Sequence, residues 1–129
     1  MSNPSNPIYQ IKVTLNHIRP PIWRRFLVAG DTTLSDLHDI LQIVMGWEDS
    51  HLHDFIIDGL IYQDLEDLVF VFDEDEFLSE SDTTLSAVIN REKQRFTYRY
   101  DFGDSWEHTL VVEKILPLQE DFRYPICLK

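Results

Sequence analysis

The chain has 129 residues, 43% hydrophobic and 12% aromatic, enough for one hydrophobic core with little left for a second domain. With 11 Lys and Arg against 23 Asp and Glu, its formal charge of −12 opposes a nonspecific nucleic-acid binder or an anionic-membrane binder, since both need a positive field. The single cysteine, Cys127, excludes an intrachain disulfide and suits a reducing cytoplasm, the expected location of a soluble, unexported protein.

Residues 1–7 are small, polar and broken by proline; they predict a flexible tail without a signal-peptide pattern, and a single domain is expected over 8–129. From Ile8 onward, Tyr9, Ile11, Val13 and Leu15 alternate with Gln10, Lys12 and Thr14. This period of two marks a half-buried strand whose apolar set faces the core. Pro20-Pro21 interrupts pairing, and residues 22–28 read as a second strand antiparallel to the first. A Thr N-cap three residues before Asp36, with Leu34, Leu37, Ile40, Leu41, Val44 and Met45 at helical spacing, predicts an amphipathic helix that Gly46 stops. Residues 51–59 predict a third strand ending in Asp58-Gly59 turn chemistry, with Leu60-Ile61-Tyr62 as a short return.

Residues 64–82 form an acidic insertion of nine acids and no base, which leaves the rest of the chain near −3. Leu65, Leu68, Val69, Phe70, Val71, Phe72, Phe77 and Leu78 are too apolar to stay in water, so an ordered piece within a solvated charged loop is expected. The longest apolar run, Leu68 to Phe72, is far short of a membrane span. Asp82-Thr-Thr-Leu-Ser86 repeats Asp31-Thr-Thr-Leu-Ser35 in residue type. Nothing beyond those positions matches, so the repeat reads as two independent uses of one helix start, the second followed by a short helix with Leu85, Val88 and Ile89. Residues 95–102 alternate aromatic with polar, Gly103-Asp104 supplies a tight turn, and 105–113 return as the partner strand. A two-residue turn there would set Arg99 opposite His108 and Asp101 opposite Trp106, all on one face. The element order predicts an α+β domain: a mostly antiparallel sheet with one main helix on one face, for which a β-grasp-like arrangement fits.

Two constellations carry chemistry. His51 and His53, two apart on a strand, leave the same face, and His108 lies on the hairpin; with Asp101 or Asp104 they would suit zinc or another divalent ion. Ordinary hydrogen-bonded histidines are the competing reading. His51, His53, Tyr98, Arg99, Tyr100, Asp101, Asp104, Trp106 and His108 together make a candidate ligand cleft, polar and aromatic. The plainer alternative makes the rings core residues and the aspartates turn residues. Gly-x-Ser-x-Gly, phosphate-loop and EF-hand patterns are all missing, so catalytic residues stay unassigned. The basic patches Arg24-Arg25 and Arg91, Lys93, Arg95, Arg99 read as solvated faces unless they merge into one surface.

Tyr9-Gln-Ile-Lys-Val-Thr-Leu, Arg19-Pro-Pro-Ile-Trp-Arg-Arg, Leu34-Ser-Asp-Leu-His, Met45-Gly-Trp, Ser50-His-Leu-His-Asp-Phe and Tyr100-Asp-Phe-Gly-Asp-Ser-Trp-Glu-His occur in this order. The combination resembles the plasmid pRiA4b ORF-three-like family of small prokaryotic proteins, over roughly Ile8 to Pro125. The resemblance implies recurrent positions at Trp23, Trp47, His51, His53, Phe55, Tyr100 to Asp104, Trp106 and His108, and a tail in family members that continues beyond Tyr124-Pro-Ile-Cys127. It names no activity. Three functions follow as expectations: a ligand- or partner-binding module, a metal-dependent hydrolase-like enzyme in which Asp101 or Asp104 activates water, and an accessory protein of mobile-element DNA, this last from the family's labels alone.

Overall fold

Alternation in the first strand sets the architecture. The computed structural model describes residues 7–48, 52–64, 77–101, 106–117 and 124–129. Within them the chain runs β1 (Ile8–Leu15), β2 (Ile22–Ala29), α1 (Leu34–Met45), β3 (His53–Ile57), β4 (Leu60–Gln63), β5 (Phe77–Ser79), α2 (Leu85–Val88), β6 (Arg95–Tyr100), β7 (Trp106–Leu116) and β8 (Ile126–Cys127). The strands form one eight-stranded sheet in the order β5-β4-β3-β6-β7-β1-β2-β8. All neighbours are antiparallel except the β4–β5 pair. The mostly antiparallel expectation therefore holds in a mixed sheet, but the β-grasp comparison does not. A β-grasp carries a parallel pair at its centre, whereas β1 here is antiparallel to both β2 and β7.

Tyr9, Ile11, Val13 and Leu15 are buried, as the alternation requires. They face a core shared by Phe26 and Val28 of β2, Phe55 and Ile57 of β3, Phe96, Tyr98 and Tyr100 of β6, and Leu110 and Val112 of β7; Leu34, Leu37 and Leu41 of α1 belong to the same cluster. Thr33 caps α1, its Oγ1 accepting from the Asp36 N–H at 3.1 Å. The helix ends at Gly46 (φ 76°), where the Gly46 N–H donates to Ile43 O and the Trp47 N–H to Gln42 O at 2.8 Å. This paired closure turns the chain back and sends Trp47 over the end of the sheet. Asp58 (φ 51°) and Gly59 (φ 81°) make the β3–β4 turn with two left-handed residues, the geometry that Asp-Gly chemistry supports.

The expected tail lies outside the described residues up to residue 6, and Pro7 is tied down by Gly30 N–H donating to its carbonyl at 2.8 Å. Of the acidic insertion, residues 65–76 lie outside the described residues, and the apolar piece placed there with them. Its far end is built into the sheet: β5 pairs with β4, and Glu80 is 1% exposed.

The repeated Asp-Thr-Thr-Leu-Ser segments, read as two uses of one helix start, meet in space. Thr33 and Thr84 form an antiparallel bridge, Leu34 N–H donates to Thr83 O at 2.9 Å, and Leu85 N–H donates to Thr32 O at 2.8 Å. Each copy satisfies an orphan donor at the start of the other's helix. The hairpin register, in contrast, is corrected. Tyr98 pairs with His108, Arg99 with Glu107 and Tyr100 with Trp106, one residue away from the register of a two-residue turn. Asp101 ends β6 in a left-handed conformation (φ 61°) and gives its N–H to Leu52 O at 2.9 Å rather than across the hairpin. A slip of one residue exchanges the faces. Arg99 consequently leaves the face that carries Tyr98, Tyr100, Trp106 and His108. No helix among the described residues is long and apolar enough to cross a membrane.

Candidate functional site

Four elements bring polar side chains to the core face at one end of the sheet. On α1, His38 and Gln42 occupy the same stripe as Leu34, Leu41 and Met45, one turn apart, so a helix packed by its apolar side carries two polar groups inward. Both meet the Tyr98 hydroxyl: Gln42 Nε2 donates to it at 2.7 Å, and His38 Nδ1 lies at 2.7 Å. His53 of β3 stacks on His38, ring centroids 3.4 Å apart and planes 5° from parallel. His53 Nε2 donates to both Glu80 oxygens, at 2.8 and 2.9 Å. Glu80 itself is fixed by its backbone, its N–H donating to Gln63 O and its carbonyl accepting from Ser35 N–H at the start of α1. All of these side chains are buried, and among the described residues no buried side-chain polar atom lacks a hydrogen-bond partner.

His108 forms the second part of the cluster. Its Nδ1 is 3.1 Å from the Tyr98 carbonyl and its Nε2 is 3.2 Å from Trp47 Nε1. A carbonyl only accepts and an indole N–H only donates, so the ring must be the neutral Nδ1–H tautomer. Burial lowers the pKa of His108 from its ordinary value, against the smaller raising effects of the backbone groups of Tyr98 and Trp106. The indole of Trp47 then closes an aromatic set, 5.6 Å from the Tyr100 ring, 5.8 Å from Trp106 and edge-on to His108 at 6.1 Å. Trp47 and Trp106 are only half-buried, so this set reaches the surface.

The structure thus gathers His53, Tyr98, Tyr100, Trp106 and His108 and adds His38, Gln42, Trp47 and Glu80. His51 and Asp104 lie outside the described residues. Asp101 leaves β6 at the same end. Arg99 is on the opposite face, where its Nε donates to Asp54 Oδ1 at 2.8 Å and its NH2 group to Oδ2, holding a carboxylate that is fully buried. Among the described residues no three His, Cys, Asp or Glu side chains are grouped to hold a metal ion. The basic patches divide similarly: Arg25, Arg95 and Arg99 project opposite to the core residues of their strands, while Arg24 shares the core-facing parity of Phe26 and Val28. Of the residues added here, His38 and Gln42 had a sequence signal, being polar at helical apolar-stripe positions. Glu80 had none within a run of acids.

These features define a class: a small α+β protein whose eight-stranded sheet carries a buried histidine–tyrosine–glutamate network with tryptophans at its rim. More particularly, the chain belongs to the plasmid pRiA4b ORF-3-like protein family, whose model matches residues 7–129. It is 36% identical over 115 residues to the uncharacterized protein y4hQ of Sinorhizobium fredii (strain NBRC 101917 / NGR234), covering 85% of this chain and 55% of that protein. The chain therefore spans about half the length of that curated relative. It also resembles the crystal structure of a protein of unknown function, MM3350 from Methanosarcina mazei Go1, with a TM-score of 0.79 and 35% identity over 96% of this chain and 68% of that one.

Proposed function

We propose that this chain is a binding module for a small-molecule or protein partner, and that the rim of Trp47 and Trp106, backed by Tyr100, makes the contact. The observation that supports this reading is the pairing of two half-buried tryptophans with a buried Tyr100 ring and a hydrogen-bonded network beneath them. Rigid aromatic rings give contact area at low entropy cost, and Trp and Tyr are the residues most enriched at binding hot spots. The network below fixes their orientation: Trp47 is anchored on His108, and His108 on the β6 backbone.

The metal-dependent alternative, with His51, His53 and His108 around a divalent ion, has less behind it. His53 Nε2 is directed at Glu80, and both nitrogens of His108 are engaged. One preparation tests both readings. The untagged protein, purified without chelator, is analysed for metals and then screened against a metabolite panel by tryptophan fluorescence and by ¹H–¹⁵N NMR. Binding that shifts the indoles of Trp47 and Trp106, and is lost in Trp106→Ala while the fold persists, is the expected result. Near-stoichiometric metal that disappears in His53→Ala and His108→Ala would overturn the binding reading in favour of the metal one. Partners whose shifts map away from these indoles would overturn the choice of rim.

A further inference from the structure

A second region, at the β8 edge of the sheet, has different chemistry. β8 pairs with β2 through Phe26↔Cys127 and Leu27↔Ile126. Beside this pair a cavity of about 250 Å³ is lined by Ile8, Leu27, Leu116, Tyr124, Ile126 and Leu128, an almost wholly apolar wall. Sites of this kind take apolar ligand bodies and are made specific by a few polar groups at the margin.

Those groups are present. Arg25 is two residues before Leu27 on the same face of β2, about 7 Å away along an extended strand, and Lys12 is its partner on β1. Leu128 lines the cavity, and the next residue, Lys129, carries its ammonium over the Trp23 ring. Lys12 Nζ, the Arg25 guanidinium and Lys129 Nζ lie 4.8, 5.2 and 5.7 Å from the centre of the Trp23 ring. The aromatic ring stabilises this gathering of cations. Arg25 is matched by Glu113, its Nε donating to Oε1 at 2.6 Å and NH2 to Oε2 at 2.9 Å. Among the described residues Lys12 and Lys129 have no carboxylate at ion-pair distance. Among the described residues an apolar cavity thus lies near three cations that share one carboxylate, Glu113, which attracts Lys12 as well as Arg25.

We propose that the cavity beside β8 and the Lys12–Trp23–Lys129 cluster together bind an amphipathic carboxylate, its hydrocarbon chain in the cavity and its head between the two ammonium groups. The chain length sets affinity through buried methylenes, and the lysines select the anion over its neutral analogue.

Titration of the full chain with decanoate, octanoate, decanol and acetate tests this, followed by ¹H–¹⁵N NMR. Decanoate is expected to give saturable shifts at the amides of Leu27, Ile126 and Leu128 and at the Trp23 indole. Octanoate should bind about fifteenfold more weakly, at about fourfold per methylene. Decanol should be weaker than decanoate by about tenfold, and Lys12→Ala with Lys129→Ala should remove that preference without changing decanol binding. These lysines are outside the core, so the variant tests the head site in a folded protein. Shifts that fail to saturate, or that spread over the chain, would overturn the site. Equal binding of decanoate and decanol would overturn the role of the cations, and unchanged decanoate binding in the cavity-filling Leu27→Phe would overturn the role of the cavity.

Discussion

Alternate residues of the sheet live in two different electrostatic environments. On the core face, His53–Glu80 and His38–Tyr98–Gln42 are buried, and among the described residues no buried side-chain polar atom lacks a partner. On the opposite face, Arg25 and Glu113 make a two-point ion pair with side chains 30% and 23% exposed. These interactions look alike, but water can replace a lost partner at the Arg25–Glu113 pair and not in the buried network. Geometry alone therefore does not rank these contacts. The cost of an unsatisfied group does.

The sharpest way to break the comparison is Glu80→Ala. It leaves the His53 imidazole buried with its Nε2 unpartnered, and unfolding in denaturant is expected to show a loss at the upper end of about 1–3 kcal/mol, since two Glu80 contacts go at once. Glu80→Gln keeps an acceptor and should recover a large part of this. A loss under about 1 kcal/mol for Glu80→Ala would mean that water reaches the site. Next comes Tyr98→Phe, which removes only the hydroxyl that His38 and Gln42 share; a loss of about 1–3 kcal/mol is expected, with the ring's packing intact. A full-size loss with altered near-ultraviolet dichroism would show a repacked core instead.

The same contrast governs what the amino-acid sequence reveals. Strand β1, helix α1 and the Asp58-Gly59 turn are legible because local rules decide them: alternation, a Thr cap, a left-handed Gly. The hairpin strands were legible too, but not their register. Gly103-Asp104 suits a tight turn, yet the left-handed Asp101 hands its N–H to Leu52, a contact from a strand far off in sequence. The β6–β7 register decides which face Arg99 takes. His53, Tyr98, Tyr100, Trp106 and His108 could be picked out as chemically notable, since imidazoles and rings alternate on strands. Their partner Glu80 could not, because it sits in an acidic run, and Trp47 stood out only through the family resemblance carried by Met45-Gly-Trp. The pairing of the two Asp-Thr-Thr-Leu-Ser segments is likewise a tertiary fact; identical local chemistry starts a 12-residue helix once and a four-residue helix once, and only α1 has a side-chain cap.

His108 sharpens the comparison through pH. Its folded pKa is held below the ordinary histidine value by burial, so near pH 5–6 the unfolded chain binds a proton that the folded chain resists. Stability is fully present above the unfolded pKa and is lost as pH falls from there toward the folded pKa. One such group contributes a slope of at most about 1.4 kcal/mol per pH unit. Unfolding curves between pH 7.5 and 5 are expected to fall less steeply for His108→Gln than for the parent chain. An unchanged slope would assign the proton uptake to other histidines.

The smallest effect belongs to the opposite face. Arg25 holds the Glu113 carboxyl below the usual carboxylate range, with Gln10 donating to the same Oε1 at 3.1 Å. That shift reflects a contact at a half-exposed site, where solvent screens the charges. Glu113→Gln should therefore cost only about 0.2–1 kcal/mol, and the difference from the parent should shrink as salt is raised from 0.1 to 1 M. A loss as large as that of Glu80→Ala, insensitive to salt, would place the pair in a low-dielectric environment. The two faces would then differ in their residues but not in the physics that stabilises them.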